Sequence, residues 1–232
     1  PEMEAIVRAE EASGKTLFYG FNHRTHGSVL ETEKRVRSGE YGRLLWMRGR
    51  YGKSVTPDYH ETWRAKKELA GGGILMDQGI HMLDLMLRFG GPFDVVQALV
   101  SNLYWNLDVE DNVFANFKNS ATGVCASLHS TMTQWRHLFS FEIFLERGHV
   151  VINGLKTSSN SYGEEVLTIE KIKAEGSAVE YVDKDEFHYP TDDSFAKETA
   201  AFLAAVEAGR TRLFSDDCLE LMDVMDRIYA QT

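Results

Sequence analysis

Apolar positions recur at helical spacing at both ends of the chain and alternate with polar ones through its middle. Residues 2–12 read as a helix with Pro1 near its first position, and Ser13-Gly14 ends it. Residues 15–21 follow as a short strand with an apolar centre, and Asn22-His23-Arg24 lies at its carboxyl end. A helix over 28–38, stopped by Gly39, precedes a strand over 44–51. After an irregular stretch over 52–70, the spacing predicts a largely buried helix running to Phe89, entered through the flexible Gly71-Gly72-Gly73. Alternation then predicts strands at 93–103, 112–117, 122–131, 139–146 and 150–152, with hairpin-like breaks at Asn119-Ser120 and Arg147-Gly148. Residues 165–172 and 179–182 add edge strands. Two helices close the chain, one after Asp192-Asp193 and one after Ser215, whose hydroxyl can cap it. The pattern predicts an α+β fold on an extensive, largely antiparallel sheet. Few helices are available to cover that sheet, so its outward Val, Leu and Phe residues predict a homo-oligomer formed through the open face.

One polar stripe interrupts the apolar helix. Asp77, His81, Asp84 and Arg88 stand at i, i+4, i+7 and i+11 among Ile, Leu, Met and Phe, and Gly71-Gly72-Gly73 leads into them. A carboxylate and an imidazole one turn apart on a buried helix require partners or a ligand. On the residues alone, Asp77 either serves chemistry or simply orients His81, both being satisfied by main chain. The 52–70 stretch carries His60, Trp63, Arg64, Lys66 and Lys67, a composition suited to covering a cleft.

Charge and cysteine content narrow the classes. A net charge of -10 argues against a general nucleic-acid or anionic-membrane binder. Cys125 and Cys218 offer neither a zinc knuckle nor a disulfide framework, which fits a reducing, cytoplasmic setting. No run is long and apolar enough to span a bilayer, and no signal peptide opens the sequence. A start without Met, inside an expected helix, predicts a piece of a longer protein.

Gly20-Phe21-Asn22-His23-Arg24, Ser38-Gly39-Glu40-Tyr41-Gly42, Trp63, the run from Gly71 to His81, Val109-Glu110-Asp111 and the paired final helices together resemble the Gfo/Idh/MocA family of nicotinamide-dependent sugar and polyol oxidoreductases. The likeness covers nearly the whole chain. It implies a C-terminal domain of the glucose-fructose oxidoreductase-like type, an open, mainly antiparallel sheet with helices on one face. Residues 24–232 would then form the substrate-binding and oligomerisation domain, and residues 1–23 the last helix and strand of a Rossmann domain. The family's glycine-rich dinucleotide motif and its Glu-Lys-Pro segment, which supplies a catalytic lysine, do not occur in the sequence. The chain alone is therefore expected to lack dehydrogenase activity.

By the same resemblance, His81 corresponds to the catalytic acid/base and Asp77 to the residue that binds a substrate hydroxyl and tunes it. Asn22 and Arg24 correspond to residues lining the cofactor side, the cofactor being NAD or NADP. Read from the residues alone, Arg24 equally ties the strand end to a carboxylate. Trp63, Trp105, His129 and Arg136 are candidates for the sugar or polyol pocket, Arg136 being suited to a carboxylate or phosphate, whereas Trp105 also suits a packed core. Imidazole titrates near neutrality, so His81 can take and return a hydroxyl proton. Two other readings stay open. Asp77 and His81 with His60 or Glu110 would suit a divalent ion for sugar isomerisation or aldol chemistry, but they form no recognised closed set, and no metal site is assigned. A non-enzymatic ligand-binding or assembly module is the other.

Overall fold

The alternating segments pair into one eight-stranded sheet in the order β2-β3-β4-β1-β5-β6-β7-β8. The computed structural model describes residues 2–175, 178–211 and 215–231, with side chains described outside 173–182 and 215. The strands are β1 (Leu44–Ser54), β2 (Val95–Ser101), β3 (Asn112–Lys118), β4 (Cys125–Thr131), β5 (Thr133–Leu145), β6 (Gly148–Asn153), β7 (Glu165–Glu175) and β8 (Ala178–Tyr189). Only the central pair of β1 and β4 is parallel; the other neighbours run antiparallel. The helices are α1 (Glu2–Ser13), α2 (Gly27–Arg37), the short α3 (Lys67–Ala70), α4 (Ile80–Gly90), α5 (Ser194–Glu207) and α6 (Ser215–Tyr229). The expected roles of Pro1 at the first helix and of the Ser215 hydroxyl as a cap lie outside the described residues.

Strand parity decides which residues meet the helices. On β1, Met47, Gly49 and Tyr51 face α4, while Trp46, Arg48 and Arg50 face the opposite side. Gly49 lets α4 approach closely, because a Cβ there would meet Met82 at 2.5 Å. Met47, Leu83, Met86, Leu128, Phe139, Phe141 and Met225 form one core between sheet and helices. A smaller cluster of Tyr59, Ile74, Leu107, Val109 and Met132 sits beneath the 52–70 stretch.

Two expected elements differ. Residues 15–21 form no strand, only a bridge at Leu17, because no sheet neighbour supplies a ladder. Thr16 bonds the Arg210 carbonyl at 2.7 Å instead. The helix expected after Gly71-Gly72-Gly73 opens as a π turn over Leu75–Gly79, and α4 proper starts at Ile80. The Glu110 carboxylate draws in the amides of Gly73 and Leu75, at 2.8 and 3.0 Å, which holds the entry away from regular helical bonding. The strands β5 and β8 are also longer than expected, β5 gaining a bulge over residues 134–137 opposite Lys53.

Candidate active site

The π turn aims Asp77 toward the end of β1. Its Oδ2 accepts a hydrogen bond from Lys53 and its Oδ1 one from Arg64 Nε at 3.1 Å. Lys53 shares the inward parity of Tyr51 and its ammonium lies over the Tyr59 ring, 4.8 Å from the centroid. Beside the carboxylate, Trp63, Arg64, Ala70, Gly72 and Met76 enclose a small cavity of about 120 Å³.

His81, one turn on, is held by rings. It stacks on His23 at 4.2 Å between centroids and meets the edge of Phe21 at 5.7 Å. Its Nδ1 is buried with no hydrogen-bond partner, and no hydrogen bond joins it to Asp77 among the described residues. Burial pushes the imidazole down to about 4, against a smaller upward pull from Asp77, so His81 is neutral at physiological pH. His23 beneath it is also pushed well below the ordinary value, first by burial and then by the other two imidazoles, His81 and His26.

A one-way hydrogen-bond chain fixes the His23 tautomer. Ser194 Oγ donates to Asp192 at 2.6 Å and accepts from Asn22 Nδ2 at 3.1 Å. Asn22 Oδ1 therefore accepts a hydrogen bond from His23 Nδ1–H at 3.2 Å, leaving Nε2 to accept from Tyr51 Oη at 3.1 Å. Tyr162 lies 5.3 Å from Tyr51 ring to ring, receives a hydrogen bond from Gln78 Nε2, and is touched edge-on by His137 at 4.9 Å. Lys53, Tyr51, Tyr59, Tyr162, Gln78 and His23 thus surround the pair, and sequence reasoning assigned none of them to the site. The β1 alternation that puts Tyr51 and Lys53 on one face was the available signal.

The other expected site residues separate. Asn22 belongs to the hydrogen-bond chain from Asp192 to Tyr51. Arg24 is buried, with its guanidinium forked on Asp84 and bonded to Asp217 at 3.0 Å. Arg88 pairs with Glu33 at 3.0 Å, so the lower half of the polar stripe is engaged in ion pairs. Trp63 stands beside Asp77 with the Arg64 guanidinium over its ring at 4.5 Å. Trp105 packs with Tyr104 and Trp135 and donates from Nε1 to the Met132 carbonyl at 3.2 Å. Arg136 is exposed on the β5 bulge, between Trp135 and His137. His129 is not in this cleft: it is stacked on Phe114 at 3.9 Å on the open face, across the sheet from His81. Glu110 spends its oxygens on Gly73, Leu75 and Tyr229, and among the described residues no three His, Cys, Asp or Glu side chains group to hold a metal.

Beside residues 18–21, Phe18, Phe21, Arg24 and Leu30 with the alanines 201, 204 and 205 of α5 and Ala208 just after it line a mostly apolar cavity of about 400 Å³. Phe21 joins this cavity to the His81 imidazole through their ring contact, while Asp77 lines the separate small cavity beside Trp63. Residues 29–151 match the GFO/IDH/MocA C-terminal domain, and the chain belongs to that family.

It is similar to levoglucosan dehydrogenase of Pseudarthrobacter phenanthrenivorans, 26% identical over 66% of this chain and 46% of that protein. It is 27% identical to 1,5-anhydro-D-fructose reductase of Ensifer adhaerens, over 88% of this chain and 57% of that one. The chain therefore spans about half the length of these curated relatives. The same fold occurs in levoglucosan dehydrogenase solved with NADH and levoglucosan, with a TM-score of 0.80, 22% identity, and coverage of 99% of this chain and 67% of that one. It occurs also in KijD10, a 3-ketoreductase from Actinomadura kijaniata solved with NADP, with a TM-score of 0.79, 21% identity, and coverage of 100% and 67%. No helix among the described residues is long and apolar enough to cross a membrane.

Proposed function

We propose that this chain is the substrate-binding part of an NAD(P)-dependent oxidoreductase acting on a sugar, sugar derivative or cyclic polyol. The observation that carries this is His81, a neutral imidazole held by His23 and Phe21 one turn from Asp77. Oxidising a secondary alcohol removes a hydride from carbon and a proton from oxygen. His81 takes that proton and returns it in the reverse direction, and Asp77 receives a neighbouring hydroxyl. A bound nicotinamide supplies the hydride acceptor or donor. The residues present fit the reacting end of such a cofactor: Phe21 lines the apolar cavity beside residues 18–21 and its ring touches the His81 imidazole, whose Nδ1 has no partner. No glycine-rich phosphate loop occurs in this chain. On this reading residues 1–23 are a remnant of the cofactor domain, and the 232-residue chain alone has no dehydrogenase activity. The exposed Arg136 and Trp63 flank the sugar, with Arg136 placed to meet a carboxylate or phosphate. Free thiols at Cys125 and Cys218 fit a reducing cytoplasm. A second copy of the chain covers the open sheet face.

The test is a cofactor and sugar screen on the intact protein, followed by His81→Asn. The variant is expected to lose about 10²–10⁴-fold in turnover while keeping its fold and assembly. Retention of turnover within tenfold would remove His81 from the chemistry, and the reading with it.

A further inference from the structure

Two cations converge on Asp77 from different elements, and neither belongs to the His81 helix. Lys53 comes from the end of β1, with a side chain only 11% exposed, and pairs with Oδ2. Arg64 comes from the 52–70 stretch and pairs with Oδ1 at 3.1 Å. Each carboxylate oxygen is thus taken by a separate positive charge, and the imidazole one turn away keeps a buried, unpartnered Nδ1.

A carboxylate beside a histidine raises the affinity of the imidazole for a proton, and a histidine drawn into a full ion pair is protonated before substrate arrives. Such an imidazole cannot accept a proton from a substrate. We propose that Lys53 and Arg64 are positioning residues that hold Asp77 away from His81 and so keep the imidazole free as a base. Their own contact with the reaction is indirect, through where the carboxylate points.

The surroundings leave little else to balance Asp77. Tyr51, Tyr59 and Tyr162 are the phenols it acts on, and each is pushed above its ordinary range, chiefly by burial. None therefore carries charge near neutrality. His137 senses Lys53 and is lowered first by burial and then by that ammonium. His23, stacked on His81, is kept neutral by burial and by the neighbouring imidazoles. Glu110 acts on Tyr59 from the far side, with its oxygens bound to Gly73, Leu75 and Tyr229. Lys53 and Arg64 are the positive charges paired to the Asp77 carboxylate among the described residues.

The use of this device rests on the oxidoreductase reading, but its test does not. The titration of His81 is followed by NMR of the histidine-labelled 232-residue chain, assigned with His81→Asn, in wild type, Lys53→Met and Lys53→Arg. Lys53→Met is expected to tighten proton binding at His81 at least tenfold, about one pH unit in midpoint. Lys53→Arg is expected to return it to within a few tenths of wild type. An unchanged midpoint in Lys53→Met overturns the proposal, as does an equal shift in Lys53→Arg. Should Lys53→Met fail to fold, Arg64→Met at a half-exposed side chain replaces it: a raised midpoint supports the proposal and an unchanged one overturns it. A merely structural role for Lys53 would lower the melting temperature and leave the titration where it was. If the titration behaves as expected and the intact protein oxidises no sugar or polyol, the positioning stands and the oxidoreductase reading falls.

Discussion

Among the described residues His81 is held by ring contacts and by no hydrogen bond, so burial is the largest influence on its protonation and Asp77 the smaller, opposing one. Its folded value near 4 lies below the 6.5 of an unfolded histidine. Between those two values the unfolded chain binds a proton that the folded chain refuses. Stability is therefore whole above about pH 6.5 and declines as the pH falls toward 4, the opposite of a histidine that gains an acid partner. The loss from His81 amounts to about 3 kcal/mol across the full window, and His23, shifted the same way, adds to it. Urea unfolding at pH 7.5 and at pH 5 is expected to show the decline, and His81→Phe is expected to flatten it. A profile with no slope between pH 6.5 and 4.5 in wild type would contradict the burial assigned to both rings.

The element that shapes the site is the bent entry of the central helix. Glu110 holds it by two amides and a main-chain carbonyl, since Ile74 N donates to Glu110 O at 3.1 Å. Gly73 permits that approach: a Cβ there would stand 2.0 Å from the Glu110 carbonyl oxygen, which is backbone and has no side-chain freedom with which to yield. Gly73→Ala is expected to lower unfolding free energy by about 1–3 kcal/mol in urea titration, and a variant as stable as wild type would show that the entry is not held this tightly. Part of this was legible beforehand. The polar stripe of Asp77, His81, Asp84 and Arg88 follows from helical spacing, and the resemblance pointed to the first two. What each member touches was not legible, because Lys53, Glu33 and the adjacent His23 and Arg24 arrive from other segments of the chain. The π turn escaped for the same reason, its cause being a carboxylate on another segment. Alternation along β4 shows that His129 and Leu128 face opposite ways, but only the packing of α4 reveals which of them looks toward the cleft. Residues 15–21 have strand composition, and composition supplies no ladder partner.

On the scale of the molecule, helices cover one side of the sheet and, among the described residues, leave the other open. Trp46 stacks on Phe144 at 4.0 Å and Phe144 on His149 at 4.9 Å, forming an aromatic row across β1, β5 and β6. Leu99 on β2 is 71% exposed and Phe114 on β3 49%. Apolar surface of this extent is characteristic of a contact face. A two-fold interface sets each patch against its own copy, so an unbalanced charge would meet its like. Arg48, in the middle of the face, is bonded to Glu142 on the adjacent strand at 2.7 Å, and this pair removes that repulsion. The proposed second copy is therefore expected to bury on the order of 1,200–2,000 Å² in total. Light scattering of the chain should give twice 26.3 kDa. Leu99→Glu combined with Phe144→Glu places two acids on the face without entering the core, and should return the mass of one chain with an unchanged far-ultraviolet dichroism spectrum. A wild-type chain that stays at 26.3 kDa at tens of micromolar, or a double variant that remains paired, would mean that the open face is not where the copies meet.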